Sequence, residues 1–409
     1  MRTLFKRYIL RIGTVMVTGL ILSFVLTTAV DPWRVNRMPW MLDGLDIYRD
    51  FSDHHRTGKA GLAKDPAGWD VAYIGSSRIE IGLATDPIGL VGRRVVNLGL
   101  PGGMTKETMA MARYALDHNP RMSLLVIGVD CGDLTSTLDI SRQTDFFVSP
   151  LADGQFSLDR QLRYWIGVRA VEESILTLSN YFKGAVSKYT PQGQRPRVLG
   201  SFPDIRAHVS GRFRFYQSQA RAFDSESIAP VNSEKRQLIK EVLIRARGAG
   251  IRVIVIIPPR HVLTQIHRAS DVTEEAPWAR DRRALAELCS EANRIELSGP
   301  LIELRDFYTF NTLTSLPLPK IHDTDQGLPE WYDLEHFPPS VGTKLLGRLF
   351  SEGQQAASDP DWGVDVLAVG IDSHLARLRE QHTRYCQANP ADVAWMRSQV
   401  LNAGTRTGP

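Results

Sequence analysis

The sequence predicts an α/β protein: a doubly wound three-layer α/β/α fold with a mainly parallel sheet, preceded by a transmembrane helix and interrupted by a long insertion. Three observations support this class. Short, almost continuously apolar runs such as "MSLLVIGVD" and "IRVIVIIPP" are typical of parallel strands that are covered on both faces. Segments of helical periodicity alternate with these runs, as they do in βαβ units. A basic cluster followed by a long uncharged run stands at the N-terminus.

The composition excludes several classes of protein. The chain has 409 residues, which is enough to bury a large core. Its formal net charge is only +4, and the sequence has no basic stripe interleaved with aromatic residues, so we expect no nucleic-acid partner. The three cysteines, Cys131, Cys289 and Cys386, form neither a CxxC motif nor a disulfide framework. No metal site and no dissociable cofactor are implied.

Residues 1–34 predict a cytoplasmic flank and a membrane anchor. The uncharged run from Ile12 to Val30 has about the 20 residues that cross a bilayer as a helix. Because basic flanks stay in the cytoplasm, we expect a single-pass protein of the inner (cytoplasmic) membrane, with the rest of the chain on the periplasmic or extracytoplasmic side. A cleavable signal peptide is the alternative, with Thr27 and Ala29 mimicking a cleavage site, but its apolar core would be unusually long. The flanking basic residues are Arg2, Lys6, Arg7 and Arg11.

The remaining chain divides by pattern into three parts. Residues 35–68 are rich in polar and turn-forming residues, which predicts a stalk. Residues 69–352 carry the α/β pattern, with an insertion at about 131–232 that lacks the βα rhythm. Inside the insertion, the pattern predicts a helix that begins at Ser157. Apolar residues at helical spacing predict a C-terminal helical extension over 353–409.

The α/β part predicts a regular succession of elements. The strands are the apolar runs in "WDVAYIGSS", "RRVVNLGL", "MSLLVIGVD", "IRVIVIIPP" and "LIELRDFY". The helices are Lys106 to His118, a segment from Ser233 that Gly248 and Gly250 end, "WARDRRALAELCSEAN", and about Ser340 to Phe350.

Polar residues that can do chemistry follow several of these strands. In a doubly wound sheet, ligands bind beyond the carboxyl ends of the strands. There the sequence places "GSS" after the first strand, "NLGLPGG" after the second and Asp130 after the third. The stretch "YDLEHF", with Asp333 and His336 three residues apart, precedes the last helix of the α/β part. A serine hydroxyl becomes a nucleophile when a base takes its proton, and a carboxylate can hold a histidine in the required tautomer.

These blocks, in this order, resemble the SGNH, or GDSL-type, hydrolase superfamily. In "GSS", Ser77 stands in the nucleophile position of that family, with Ser76 in place of its aspartate. The resemblance implies that Ser77 is the nucleophile, His336 the general base and Asp333 the residue that orients it. It further implies that the backbone amides of Ser77 and Gly102, in "NLGLPGG", hold the oxyanion.

The resemblance covers roughly residues 69–130 and 233–352, and its third block departs from the family pattern. "GVDC" puts Asp130 where the family has an oxyanion asparagine. An ionised aspartate would repel an oxyanion, so Asp130 is either protonated, directed elsewhere or used for another purpose.

Three further residues are candidates for contacts with substrate. Arg78 follows the nucleophile position and could bind either an anionic substrate or a carboxylate of the protein. Asn97 and Arg260 also lie at predicted strand ends, so they could border the same cleft.

The anchor and the "GSS" form are similar to the teichoic acid D-alanyl transfer protein and to exported proteins of alginate O-acetylation. This resemblance implies a serine esterase or O-acyltransferase that acts on acyl esters of cell-envelope polysaccharide. Its partners would be an envelope glycan or acyl donor, the lipid bilayer and a membrane acyltransferase. The alternative is a non-catalytic binding or assembly subunit of a polysaccharide modification or export system.

Overall fold

The chain is described from a computed structural model. Residues whose structure is described are 2–136, 139–141, 145–154, 156–196, 205–210, 230–266, 277–320, 327–328, 330–350 and 359–404.

A six-stranded sheet forms the centre of the fold, with the strands in the order β2-β1-β3-β4-β5-β6. The first five strands are parallel and β6 is antiparallel to β5. The expected α/β class with a mainly parallel sheet is therefore confirmed. The strands are β1 (Val71–Ile74), β2 (Val95–Asn97), β3 (Leu124–Gly128), β4 (Arg252–Ile257), β5 (Glu303–Asp306) and β6 (Val364–Asp365).

Helices connect and surround the strands, and a short helix at 205–210 belongs to the insertion. The first six are α1 (Arg2–Val30), α2 (His55–Ala63), α3 (Ser77–Gly82), α4 (Thr105–His118), α5 (Leu158–Ile166) and α6 (Val168–Lys183). The remainder are α7 (Ser233–Gly248), α8 (Pro277–Arg294), α9 (Pro339–Phe350), α10 (Val366–Val369), α11 (Ile371–Ala388) and α12 (Pro390–Gly404).

Both faces of the sheet are buried, which explains why its strands are almost continuously apolar. Alternate residues of a strand point to opposite faces. In β3, Leu125 packs in one core with α4, α7 and α8, whereas Val126 packs in a second core with α9 and α11.

The helix α1 is long and apolar enough to span a membrane over Leu4–Val30. Its side chains are exposed along most of its length, and only its last turns are buried against the rest of the protein. There Phe24 packs edge-on against Trp165 of α5, and the Thr27 hydroxyl donates a hydrogen bond to the Trp165 carbonyl.

The segment 35–68 is not a stalk, and that expectation is wrong. It contains α2, and Phe51 and Leu62 are buried in the main core. The Phe51 ring stacks on Tyr189 of the insertion, with ring centroids 4.1 Å apart. Lys59 is fully buried and donates a hydrogen bond to the Asn97 carbonyl at 2.9 Å. The polar residues of this segment gave no indication that it packs into the core. They can be buried there because backbone carbonyls accept their hydrogen bonds.

Two other segments differ from the pattern. The helix expected from Ser157 is two helices that meet at Gly167, where a Cβ would lie 2.3 Å from the Arg163 carbonyl oxygen. The C-terminal segment is helical as expected, but it also supplies β6. Its His374 is buried and lies 2.9 Å from the carboxylate of Asp306, so this segment is packed into the domain.

The packing of residues 35–68 predicts a large effect of Leu62→Ala. Leu62 is 1% exposed, so removing its side chain should lower the free energy of unfolding by about 2–5 kcal/mol. The control is Leu301→Ala at a site that is 64% exposed, where a change within about 0.5 kcal/mol is expected. Thermal unfolding of the purified full chain measures both, and equal melting temperatures for the two variants would restore the stalk interpretation.

Candidate active site

The Gly-Ser-Ser stretch lies at the carboxyl end of β1, where the chain turns into α3. Gly75 has φ 153°, and a Cβ there would lie 2.4 Å from the Ile79 side chain, so the turn requires glycine. The Ser76 hydroxyl caps α3 by accepting a hydrogen bond from the Arg78 N–H. Ser77 is the first residue of α3 and is half-buried. The strand order reverses between β1 and β3, which is where doubly wound sheets bind ligands.

Ser77, His336 and Asp333 form one chain of hydrogen bonds. Ser77 Oγ lies 2.9 Å from His336 Nε2. On the other side of the ring, His336 Nδ1 lies 3.0 and 2.9 Å from the two carboxylate oxygens of Asp333. Asp333 also accepts the backbone N–H groups of Glu335 and His336, each at 2.7 Å. The structure thus brings together the three side chains that the sequence predicts as a catalytic set.

This geometry determines what the histidine can do. With a carboxylate against Nδ1, the proton of the neutral ring lies on Nδ1, and Nε2 is left to accept the Ser77 hydroxyl proton. His336 and Asp333 are 7% and 2% exposed, so the low local dielectric strengthens their hydrogen bonds. The three side chains can therefore activate a serine hydroxyl as a nucleophile.

A close contact between two helices sets the distance between Ser77 and His336. Ser77 begins α3, and α9 begins three residues after His336. A Cβ on Gly342 of α9 would lie 1.8 Å from the Gly82 carbonyl oxygen at the end of α3. A Cβ on Gly82 would lie 2.0 Å from the ring of Phe337, which is fully buried. Glycine at both positions allows the two helices to approach closely enough to bring the serine and the histidine into hydrogen-bond range.

The buried carboxylate of Glu80 holds α3 from its other side. Glu80 forms an ion pair with Arg195 at 2.9 Å and accepts the Tyr189 hydroxyl at 3.0 Å. Lys59 of α2 lies 3.9 Å from the same carboxylate. Burial lowers the pKa of Lys59 to about 8, and the charge of Glu80 limits that fall. Both the insertion and residues 35–68 therefore help to position the helix that carries Ser77.

Arg78 joins three parts of the site. Its Nη1 lies 2.6 Å from Asp130 Oδ2 after β3, and its Nε donates to the Glu335 carbonyl at 3.0 Å. Of the two alternatives for Arg78, the structure shows the pairing with a carboxylate of the protein. Its guanidinium is buried and bound to protein groups, and a contact between Arg78 and an anionic substrate stays a prediction.

The surroundings of Asp130 favour its ionised form. Burial alone would raise the pKa of Asp130, but the nearby guanidinium groups of Arg78 and Arg260 outweigh that effect, and the pKa is lowered. The two guanidinium groups therefore favour the ionised form over the protonated alternative. An ionised carboxylate only accepts hydrogen bonds, so this form does not suit an oxyanion position, and the structure shows Asp130 in an ion pair with Arg78.

Arg260 lies beside the same carboxylate and is partly exposed. Burial would lower its pKa, but the charges of Asp130 and Glu335 outweigh burial and raise the pKa. Its Cζ lies 5.8 Å from the centroid of the Tyr308 ring. A contact between Arg260 and substrate stays a prediction.

Asn97 is a structural residue, and its predicted contact with substrate is wrong. The side chain is fully buried. Its amide nitrogen donates to the carbonyls of Ile79 at 2.8 Å and Leu83 at 2.9 Å, and its amide oxygen accepts the Gly99 N–H at 3.0 Å. Asn97 therefore ties the end of β2 to the middle and the C-terminal end of α3.

Gly102 lies in an exposed turn after β2, with φ 59°, a conformation that favours glycine. The turn is closed by a hydrogen bond from Gly103 N–H to the Leu100 carbonyl at 2.9 Å. The role of the Gly102 amide at an oxyanion stays a prediction. A small polar pocket opens between this turn and the ends of β1 and β3. It is lined by Ser76, Gly103, Thr105, Gly128, Asp130 and Asp133, among others.

Sequence reasoning missed two residues beside the catalytic set. His208, in the short helix at 205–210, has its Nε2 3.9 Å from Asp333 Oδ2. Glu335 contributes a backbone carbonyl to Arg78. His208 lies in the insertion, where no predicted strand end marks it as a site residue. Glu335 acts through its backbone carbonyl, and the type of a residue does not predict a contact of its backbone. The position of Glu335 between Asp333 and His336 was the one available signal.

No protein-family model matches the chain, and no curated protein matches it. The functional conclusion therefore rests on the geometry of the site.

The contact between α3 and α9 predicts a specific effect of Gly342→Ala. The added methyl group would collide with the Gly82 carbonyl, so the helices must separate, and we expect a loss of about 1–3 kcal/mol in the free energy of unfolding. Gly248→Ala in α7 is the matched control, because its Cβ would meet its nearest neighbour only at 4.0 Å. Thermal unfolding compares them, and a Gly342→Ala variant as stable as the control would contradict the close contact.

The ion pair of Asp130 with Arg78 predicts a defined pH dependence. Because the folded-state pKa of Asp130 is lowered, its contribution is fully present above the unfolded pKa of about 4 and is lost as the pH falls through the folded value. Asp130→Asn should lower the melting temperature by a constant amount from pH 8 to pH 5, and the difference should shrink only below about pH 4. The control is Asp372→Asn, which breaks an exposed ion pair and should have little effect at any pH. A difference that shrinks already between pH 7 and pH 5 would mean that Asp130 is protonated.

Proposed function

We propose that this chain is a membrane-anchored serine esterase or O-acyltransferase that acts on acyl esters of cell-envelope polysaccharide. The observation that carries the proposal is the hydrogen-bonded chain from Ser77 through His336 to Asp333 at the switch point of the sheet. The proposal includes a doubly wound three-layer fold of the SGNH type. The five-strand parallel order, the serine after β1 and the Asp-x-x-His stretch before α9 support it.

The proposed reaction follows from the roles of the three side chains. Ser77 Oγ attacks the acyl carbonyl carbon while His336 Nε2 takes the hydroxyl proton, and Asp333 stabilises the imidazolium that forms. The imidazolium then protonates the leaving alcohol, which gives an acyl-enzyme. In the second half, His336 deprotonates water or a sugar hydroxyl, whose oxygen attacks the acyl carbonyl carbon. As the bond between the acyl carbon and Ser77 Oγ breaks, His336 returns the proton to Ser77 Oγ, which frees Ser77 and releases the acid or the new ester.

The oxyanion of each tetrahedral intermediate needs hydrogen-bond donors. The Ser77 N–H is one candidate, because the first N–H groups of a helix have no partner within it. The Gly102 N–H in the turn after β2 is the second candidate. Arg260 is placed beside Asp130, so it offers a partly exposed cation to an anionic part of the substrate.

The N-terminal helix indicates where the proposed reaction takes place. The apolar helix α1 follows a basic flank, which favours a single-pass topology in the cytoplasmic membrane with the site outside the cytoplasm. Envelope glycans and a membrane acyltransferase that supplies acyl groups would be within reach there.

One observation favours a second candidate function. Asp130 is an ionised carboxylate where the SGNH pattern has a hydrogen-bond donor to the oxyanion. A site without that donor suits a non-catalytic binding or assembly subunit of a polysaccharide modification or export system.

Reaction of the full chain with a fluorophosphonate probe distinguishes these functions. We expect the wild type to be labelled on Ser77, and Ser77→Ala to lose labelling while its melting temperature stays nearly unchanged. His336→Ala should lose nearly as much, because nucleophile and base act as a unit, and Asp333→Asn should lose less. Ser76→Ala is the control at the adjacent hydroxyl. It removes the cap of α3, so its melting temperature should fall somewhat, but it should keep the label on Ser77. A folded wild type that does not react would favour the binding subunit.

A further inference from the structure

The insertion carries an apolar face that the rest of the described protein leaves exposed. In α6, Val168, Ile175 and Phe182 are spaced seven residues apart, which places them on one side of the helix. They are 73%, 56% and 80% exposed. In α5, Leu158 and Leu162 are exposed and lie one helical turn apart. These five residues are called the α5–α6 face below.

The contact between α1 and α5 places this face at a defined height along the anchor. If the apolar run of α1 crosses the bilayer from Ile12, the hydrocarbon core of about 20 residues ends near Val30. Phe24, which packs on Trp165 of α5, lies six residues before that point, or about 9 Å deeper. Thr27, which donates to the Trp165 carbonyl, lies about 4.5 Å deeper. Interfacial helices bury their apolar side by about 5–10 Å at this boundary.

The chain beyond α1 supplies a second indication of the same boundary. Trp40 is 52% exposed, and its indole N–H donates to the Thr28 hydroxyl at 3.1 Å, so the ring lies against the last turns of α1. Leu42, also exposed, donates its N–H to the Ala29 carbonyl at 2.7 Å. Half-exposed tryptophan beside the end of a spanning helix is typical of the membrane–water interface.

We propose that the α5–α6 face lies in the boundary between headgroups and acyl chains of the bilayer, as a second membrane contact beside α1. The inference rests on the membrane anchoring in the proposed function but not on its serine chemistry. The exposed cations Arg169 and Lys183 lie at the two ends of the apolar stripe of α6, and Arg169 pairs with Glu172 at 3.1 Å. Both cations would meet lipid headgroups in this arrangement. The lipid surface accounts for both the exposure of the face and its height along α1.

Two membrane contacts constrain the active site more than one does. A single helix lets the domain rotate about its axis and tilt, whereas an interfacial helix pair beside it fixes both. The chain that follows α6 also carries Tyr189 and Arg195, which bind Glu80 of α3. The segment that lies on the membrane is therefore joined within a few residues to the helix that carries Ser77, so the cleft is held at one height and orientation over the bilayer.

Photocrosslinking of the full chain in lipid nanodiscs tests the proposal. The photoreactive residue p-benzoylphenylalanine is placed at position 175 or 182, and the nanodiscs contain phosphatidylethanolamine and phosphatidylglycerol. The matched control is position 91, since Val91 is 83% exposed but lies outside the α5–α6 face. Mass spectrometry measures covalent lipid adducts after irradiation. We expect lipid adducts at positions 175 and 182 several-fold above those at position 91, and Ile175→Asp should lower the adduct at position 182.

Adduct yields at positions 175 and 182 that do not exceed the control would overturn the inference. Irradiation in native membranes distinguishes a lipid contact from a protein contact. Adducts with a protein in place of lipid would overturn the membrane contact and make the face a docking site for a partner. Fluorophosphonate labelling of the same samples separates the two proposals. Labelled Ser77 without lipid adducts defeats only the second membrane contact, and lipid adducts without labelling defeat only the serine chemistry.

Discussion

The close contact of α3 with α9 is the constraint on which the site depends. Two glycines, Gly82 and Gly342, let the backbones meet, and Phe337 fills the space beside Gly82. Ser77 and His336 are 259 residues apart in the chain, so no local preference can place them together. Their 2.9 Å contact comes from the packing of buried glycines and an aromatic ring, in a core where a single extra methyl group is felt.

Buried charges extend this constraint to segments that have no part in the sheet. Glu80 on α3 is held by Arg195 from the insertion and approached by Lys59 from α2. A buried ion pair adds little stability compared with apolar packing, but the removal of one partner leaves an uncompensated charge and is strongly destabilising. Such a pair therefore selects one arrangement. The insertion and residues 35–68 are thus parts of the scaffold of the site.

The sequence predicted what local pattern determines and missed what distant contacts determine. The parallel strands were recognisable because both their faces are apolar, and Ser77, Asp333 and His336 could be grouped because strand ends meet at one edge of a sheet. The packing of residues 35–68 was not predictable, since it relies on Lys59 reaching the Asn97 carbonyl. Strand β6 is two residues long, which is too short to show a period-2 alternation of apolar and polar residues in the sequence. Asn97 was predicted to border the cleft, because residue type alone does not reveal that its side-chain amide donates to the carbonyls of Ile79 and Leu83.

The surroundings of Asp130 determine the electrostatics of one corner of the site, and only the structure defines them. An isolated carboxylate near a developing oxyanion would oppose catalysis. Here its charge is paired with Arg78 at 2.6 Å, and Arg260 adds a second cation nearby. The two guanidinium groups face two carboxylates, because Glu335 lies 3.7 Å from Arg78, so the charges in that corner of the cleft balance. Asp130 therefore holds Arg78 in place, and Arg78 at the same time ties the loop of His336 to the end of β3 through the Glu335 carbonyl. The same arginine thus pairs the buried charge of Asp130 and holds the loop that carries His336.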